Sequence, residues 1–372
     1  MTGLIAILIL ALLAVIAVQI GKVSDLAASI RGNEDLEDST NKATGIWLLV
    51  FMVVFLIGTI VSAWYYKNSM LGYGPLTSAS EHGFWIDGLF NTTLIFTFIV
   101  FFITHVLLFW YAYKFRNRAG RKAKFMAHNN TLELVWTVVP VIIMTFLVVK
   151  GIIAWNEIMP DLGVDDEYVE IEATGYQFGW DIRYPGPDGI LGTKDYRLIN
   201  QATNSLGMDW TDVKSQDDII LSGADQIVLP VDTTVRVRIT SKDVLHNFYL
   251  PHFRVKMDAI PGLPTYFIFR PTKTTSEFRK QLKKYPEWNV PTDPEDPESN
   301  PRWKDFEYEL ACAELCGIGH YSMRRVVKIV SKDEYEEWKV TQKSFYLTNV
   351  VKETKPEKIS QVVDSVIEEL TH

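Results

Sequence analysis

The sequence predicts a membrane-anchored all-β protein, with N-terminal transmembrane helices followed by a Greek-key barrel or sandwich. Three observations point there. Long charge-free apolar runs crowd residues 1–155. From Tyr168 onward the apolar segments shorten to strand length. Those short segments are rich in Val, Ile, Tyr and Phe and are broken by Gly, Pro and Asp, the pattern of many short strands with little helix.

Four runs are long enough to cross a hydrocarbon core of about 30 Å: Met1–Ile20, Gly45–Tyr66, Gly88–Tyr113, and Leu134–Val149 continuing past Lys150 to Trp155. Lys150 sits near one end and can snorkel. Trp47, Trp64, Trp110 and Trp155 lie near run ends, where amphipathic rings sit at the interface. The first run lacks the basic flank of a signal peptide and is expected to be a retained helix.

Orientation follows from Lys114, Arg116, Arg118, Arg121, Lys122 and Lys124, which cluster between the third and fourth runs with no acid among them. The positive-inside rule puts that loop in the cytoplasm. The N-terminus, the 67–87 loop and everything after residue 155 then lie outside, and Lys22, Arg31 and Lys42 fall in an inside loop. A bacterial inner membrane with a periplasmic C-terminal domain is the expected setting.

The expected domains are 1–87 (two helices and loops), 88–155 (a helical hairpin), 156–343 (the β domain) and 344–372 (a charged tail). Strands are expected at Tyr168–Ala173, Asp217–Leu221, Gln226–Leu229, Thr234–Thr240, Asn247–Leu250, Tyr266–Arg270, Glu307–Ala311 and Arg325–Val330, and a short helix at Asp333–Val340. Arg236 and Arg238 alternate with Val235 and Val237, as in a half-buried strand. Insertions are read near 185–215 and 280–304. Asp188 and Asp195 in the first invite a calcium reading, but too few ligands are regularly spaced, and a plain turn is preferred. The second carries Pro286, Pro291, Pro294, Pro297 and Pro301 and reads as a polar surface loop.

The formal charge is −8, divided as +3 over residues 1–155 and −11 over residues 156–372. An acidic exposed domain argues against nucleic-acid binding and fits a basic protein partner. Cys312 and Cys316 are the only cysteines, so a multi-bridge disulfide framework and a C-x-x-C-H haem attachment are both excluded.

Those cysteines lie in Cys312-Ala-Glu-Leu-Cys316-Gly-Ile-Gly-His320-Tyr-Ser-Met323, which offers two thiolates, an imidazole and a thioether within twelve residues. Soft sulfur with imidazole selects copper among first-row metals. His246 supplies a second imidazole. His252, beside Pro251, is its rival, and reads as a polar surface histidine. Two cysteines suit two bridged coppers better than one blue-copper ion. A Cys312–Cys316 disulfide would leave His320 and Met323 without a reason, and zinc would not call for Met323. The spacing favours two coppers and leaves those alternatives open.

The Cys312–Met323 segment resembles the CuA signature of cytochrome c oxidase subunit II. Val244-Leu-His246 through Pro251, followed by Lys256-Met-Asp258-Ala-Ile-Pro261-Gly262, is similar to that family's first-histidine region, and Glu133-Leu-Val-Trp136-Thr137-Val-Val-Pro140 to the opening of its second hairpin helix. The resemblance covers roughly residues 88–340. It implies a cupredoxin-like Greek-key β-barrel behind a two-helix hairpin. It implies that Cys312 and Cys316 bridge two copper ions, that His246 and His320 are terminal ligands, and that Met323 and the Glu314 carbonyl bind weakly. It also implies a magnesium shared with subunit I through the Glu314 carboxylate, with Asp258 in the polar network there. The expected activity is electron input to a haem–copper cytochrome c oxidase: single electrons arrive from a c-type cytochrome and pass to haem in subunit I, where oxygen reduction is coupled to proton pumping. A copper-free quinol-oxidase subunit, a nitrous-oxide reductase, and a copper-binding structural subunit of a quinol-type oxidase with no redox role, which fast electron transfer through the site would discriminate, are rivals. The intact ligand set argues against the first and the membrane hairpin against the second.

Other residues carry finer expectations. By resemblance Glu133 lies at the mouth of a proton path. Locally, Asn130-x-x-Glu133 reads as a capping box. His105, in mid-run, is expected to pack against a partner helix. Phe178 stands where the family usually has the tryptophan that accepts electrons, and Trp180 matches a second family tryptophan, so either is a candidate for electron entry. Because the 280–304 insertion just precedes Cys312 in the chain, it is expected to border the copper and to help hold a tethered or complex-bound cytochrome.

Overall fold

The computed structural model describes residues 2–31, 33–67, 77–118, 120–163, 166–223 and 225–351. The tail from Lys352 lies outside the described residues. The chain divides into two units, Met1–Tyr66 with Asn91–Phe146, and Lys67–Phe90 with Leu147–His372.

The first unit is helical. α1 (Thr2–Arg31) and α2 (Asn33–Tyr66) continue through most of the expected inside loop, so Lys22, Arg31 and Lys42 sit on helix rather than on coil. α3 (Gly83–Lys114) and α4 (Asn130–Ile158) follow, with residues 83–90 and 147–158 of these helices counted in the second unit. Among the described residues three segments are long and apolar enough to cross a membrane: Leu36–Tyr66, Gly83–Lys114 and Asn130–Ile158. The first apolar run is helical within α1, but its first ten side chains lie outside the description. α2 lies along α3 through aromatic contacts. Phe51 meets Phe109 with ring centroids 5.7 Å apart, and Phe55 stacks on His105 at 5.7 Å. His105 Nδ1 also donates to the Phe101 carbonyl at 2.8 Å, so this histidine packs against a neighbouring helix as expected.

The cap of α4 differs from the sequence reading. Asn129, not Asn130, accepts the Leu132 N–H at 3.1 Å. Moving the cap back one residue puts Leu132 at its third position, so Glu133 closes no capping box with Asn130.

The second unit is built on ten strands: β1 (Val169–Tyr176), β2 (Gly179–Tyr184), β3 (Ile219–Leu221), β4 (Ile227–Pro230), β5 (Val235–Ser241), β6 (His246–Leu250), β7 (Val255–Ala259), β8 (Thr265–Phe269), β9 (Tyr308–Cys312) and β10 (Arg324–Val330). They form two five-stranded sheets, in the orders β3-β2-β1-β5-β8 and β4-β10-β9-β6-β7. Their inner faces share one core, with Ile171, Ile182, Val237 and Phe267 from the first and Phe248, Leu250, Leu310 and Ile329 from the second. Val235, Val237 and Ile239 of β5 are fully buried. Between them Arg238 turns outward to Glu170, at 2.8 and 2.9 Å, as its alternation predicts.

β2 and β7 are strands that the sequence reading did not assign, as is the helix α5 (Thr275–Leu282). Short helices α6 (Arg302–Asp305) and α7 (Lys332–Thr341) complete the unit, the latter starting on a Ser331–Glu334 capping box.

The 185–215 insertion is tied down by buried charge. Arg183, 2% exposed, binds Glu172 at 3.0 Å, Asp218 at 2.8 Å and the Gly192 carbonyl at 2.8 Å. Lys194 also pairs with Glu172. Asp195 is occupied by Arg197 and Asp188 by the Ile190 N–H, as in plain turns.

Candidate metal centre

Three strand ends converge at one end of the second sheet. His246 opens β6, Cys312 closes β9, and Met323 immediately precedes β10. The β6–β9 register sets Phe248 opposite Cys312, which brings the first histidine beside the first cysteine. The loop between β9 and β10 then turns back on itself, with His320 N–H bonded to the Gly317 carbonyl at 3.1 Å and Ser322 N–H to that of Gly319 at 3.0 Å.

The result is a compact set of soft donors. Cys312 Sγ lies 3.9 Å from Cys316 Sγ, 3.9 Å from His246 Nδ1 and 3.2 Å from the Glu314 carbonyl. Cys316 Sγ lies 3.5 Å from His320 Nδ1 and 3.3 Å from Met323 Sδ. Ligand atoms of His246, Cys312 and Cys316 all fall within 4.8 Å of one another. His246, Cys316 and Met323 are buried, whereas Cys312, Glu314 and His320 are half-buried.

The electrostatics suit a cation. Burial opposes ionisation of Cys312, but hydrogen bonds from His246 and from the backbone at Asn247 and Glu314 outweigh it and hold the thiol at about 6. Burial and the neighbouring Cys312 charge push Cys316 up to about 11. The pair resists carrying two negative charges unless a positive ion lies between them.

The donor chemistry fits copper. Both cysteines are free thiols. Their 3.9 Å separation is less than twice a metal–thiolate bond of about 2.3 Å, so an ion can bond both sulfurs at once. Each sulfur has its own imidazole, and the carbonyl stands beside Cys312 and the thioether beside Cys316.

A second layer orients the first. Asp243 Oδ1 accepts from His246 Nε2 at 2.8 Å, and Asp243 Oδ2 accepts the Gln177 N–H at 2.7 Å. Gln177 Nε2 donates to the Cys316 carbonyl at 2.7 Å. Asn247 joins Asp258 at 2.6 Å and accepts the Ala313 N–H through its carbonyl. Arg325, 5% exposed, donates to the carbonyls of Trp180 at 2.7 Å and Leu221 at 3.0 Å, clamping β10 to the other sheet. Sequence reasoning missed Asp243, Gln177 and Arg325. Asp243 carried a signal, standing three residues before His246 in a turn.

Phe178 and Trp180 separate in space. The half-buried Phe178 ring lies against the cysteine loop so closely that a Cβ on Gly319 would sit 2.5 Å from it and one on Gly317 3.0 Å away. Gly317 also has φ +131°, which a side chain would strain. Trp180 is only 1% exposed and meets His246 edge-on at 6.1 Å, so it lies behind the first histidine rather than at the surface.

Two further readings are corrected. His252 is 5% exposed and enclosed by Phe278, Phe306 and Tyr308 with ring centroids 5.0 to 5.7 Å away, so it is a core histidine rather than a surface one. The 280–304 insertion is rooted at that same end, where Phe278 packs on Phe306 and Tyr308. Tyr308 starts the strand that Cys312 ends, a run of about 13 Å. Closeness in the chain does not bring the insertion's root to the cysteine loop. Glu133 belongs to the other unit, exposed in the first turn of α4.

Membrane-spanning helices joined to a two-sheet domain with a Cys/His/Met cluster define a membrane-anchored protein with a copper-type site. Residues 69–152 match the family described as cytochrome C oxidase subunit II, transmembrane domain, and residues 169–278 match cytochrome C oxidase subunit II, periplasmic domain. An alternative cytochrome c oxidase subunit 2 of Bradyrhizobium diazoefficiens is 29% identical over 303 residues, covering 82% of this chain and 93% of its own length. Cytochrome c oxidase subunit 2 of Cereibacter sphaeroides is 28% identical over 262 residues, covering 68% and 74%. The crystal structure of the periplasmic domain of cytochrome oxidase subunit II of Bradyrhizobium japonicum is 27% identical, with 48% of this chain and 96% of that one covered and a TM-score of 0.29. The chain belongs to the cytochrome c oxidase subunit II family. It is therefore a subunit of a haem–copper oxidase and a partner of subunit I. The periplasmic-domain match stops at residue 278, where the 280–304 insertion begins, so the cysteine loop stands outside it and rests on its own geometry.

Proposed function

We propose that this chain is the electron-input subunit of its oxidase, holding a two-copper CuA centre in the cysteine loop. Cys312 and Cys316 would bridge the ions, His246 and His320 would cap them, and Met323 and the Glu314 carbonyl would bind weakly. The observation that carries this reading is the convergence of all six donors at one end of the second sheet. When bound, such a centre takes up and releases one electron shared by two metals, which reduces reorganisation on each transfer. The protein's part is to hold the donors in place: Asp243 fixes the His246 ring, Gln177 fixes the Cys316 carbonyl, and the buried Cys316 and Met323 keep water from that side.

The donor is a c-type cytochrome. Leu315, Ile318 and Tyr321 stand 80%, 92% and 82% exposed around Cys316, giving an apolar landing area on a domain of net acidic charge. Phe178 lies beneath that loop and borders the entry point. Electrons continue to haem in subunit I, and a magnesium held through the Glu314 carboxylate would lie at that boundary. The domain faces the periplasm of a bacterial inner membrane, a reading that the basic 114–124 loop supports.

The test uses the full-length chain, purified in detergent and loaded with copper. Two coppers per chain, with an electron paramagnetic resonance spectrum of one electron spread over both nuclei, are expected. Cys316→Ser should lose that spectrum, whereas Met323→Leu should keep the metal and shift its potential. One copper per chain with a single-nucleus spectrum would overturn the assignment. A quinol-type subunit without copper is disfavoured by the complete donor set.

A further inference from the structure

The 185–215 insertion and the stretch after α7 pack on each other. Trp210 stacks on Phe345 with ring centroids 6.0 Å apart and an interplanar angle of 11°, and meets Tyr346 at 5.5 Å. Phe345 N–H donates to the Asp218 carbonyl at 3.0 Å. Between the two lies a groove of about 1070 Å³, lined on one side by Val213, Gln216 and Ile219 and on the other by Val340, Tyr346 and Leu347. Its apolar side chains are left to solvent: Val213 is 75% exposed, Val340 83% and Leu347 62%. Surface side chains of this size, gathered in a concave site, mark a place that something covers.

The chain itself supplies a candidate. The described residues end at 351, three residues beyond the groove's last lining residue, Thr348, and twenty-one residues follow. In that remainder Ile359, Val362, Val363, Val366, Ile367 and Leu370 recur at three- and four-residue steps, the spacing of one apolar helical stripe. Twelve residues of such a stripe are too few to hold a helix alone in water, so they need a surface to cover. Charges match in both signs. Lys339 and Lys343 border the groove along with Asp188, Asp217 and Glu336, while the tail brings Lys355 and Lys358 before the stripe and Asp364, Glu368 and Glu369 within it. The intervening 352–358 contains Pro356 and spans at most about 24 Å, enough to fold back, and its shortness keeps the effective concentration high.

We propose that residues 359–370 of this chain seat their apolar stripe in the groove between the 185–215 insertion and the segment after α7. The insertion then serves as a clasp for this later segment of the same chain.

The test places a photo-crosslinking benzoylphenylalanine at Leu347 in the full-length chain, within the assembled oxidase. Mass spectrometry should find position 347 joined to a peptide from 359–370. Val366→Asp with Leu370→Asp should abolish that product while leaving the copper spectrum unchanged. Crosslinking to another oxidase subunit, or to no peptide, would overturn the proposal, as would a product that survives both aspartates. None of these readings depends on copper content, so failure here is distinct from failure of the electron-input assignment.

Discussion

Asp243 and His246 form a fixed pair, with Oδ1 2.8 Å from Nε2, so the other ring nitrogen, Nδ1, is the one turned to Cys312. Outer partners of this kind set ring orientation, and their loss costs about 10–100-fold in metal affinity. Asp243→Ala should therefore weaken copper binding by about that factor and alter its spectrum, with Asp243→Asn close to wild type because the amide oxygen still accepts. Competition titration against a copper chelator measures it. Equal affinity in the Ala variant would remove the positioning role.

Glu133 is exposed in the first turn of α4 and shares no capping box with Asn130. With Asn129 as the cap, Glu133→Gln should leave helix stability nearly unchanged. If the carboxylate collects protons for the oxidase, the same variant should slow turnover and leave copper content intact. Oxygen consumption across pH decides, and wild-type rates throughout would end the proton-uptake reading.

The insertion's tip can be removed without its anchor. Pro291 and Pro301 bridge across its neck, while Trp288 is buried beneath. Deleting 292–300 should leave both the copper spectrum and turnover with a soluble cytochrome unchanged, because the loop is rooted away from the cysteine end. Ile318→Asp should lower turnover by raising KM for the cytochrome, with the spectrum preserved. A strong turnover defect in the deletion would restore the insertion as a docking element.

His82, 8% exposed, is pushed down to about 4 by burial, with Arg254 and Asp87 the charged groups beside it. Its folded pKa lies below its unfolded value of about 6.5, so the unfolded chain takes the proton first. The stability it contributes is present above about pH 6.5 and is lost toward pH 4, by up to about 1.4 kcal/mol per pH unit. His82→Gln should flatten that acid loss in thermal unfolding of the full-length chain. An unchanged slope would assign the acid sensitivity elsewhere.

The donor set was legible because its chemistry is packed into one short segment, and a single histidine upstream completes it. What escaped depends on contacts across the sheets. β2 escaped because Gly179-Trp180-Asp-Ile-Arg183-Tyr184 mixes charge with apolar residues, yet Arg183 and Asp181 are buried with partners that no local pattern announces. His252 looked like a surface residue because Pro251 precedes it, but the aromatic rings around it come from residues 26 to 56 positions later. α5 falls mostly between the strand read at Tyr266–Arg270 and the proline-rich 280–304 stretch, where no element was assigned, although Thr274 and Glu277 form a capping box. The apolar runs of α2, α3 and α4 were plain, since crossing a membrane demands length and little else.

The pairing of Phe248 with Cys312 has one more consequence. Side chains on a strand alternate between faces, so a slip of β6 by one residue would carry His246 to the wrong side of the sheet and bring Asn247 into its place. His252 could not substitute, since it is locked in the core at the opposite end of the same sheet. A chain that captures its metal has therefore aligned these two strands correctly, and one that misaligns them is left without the imidazole needed to keep it. Retention of a metal would thus report on strand alignment.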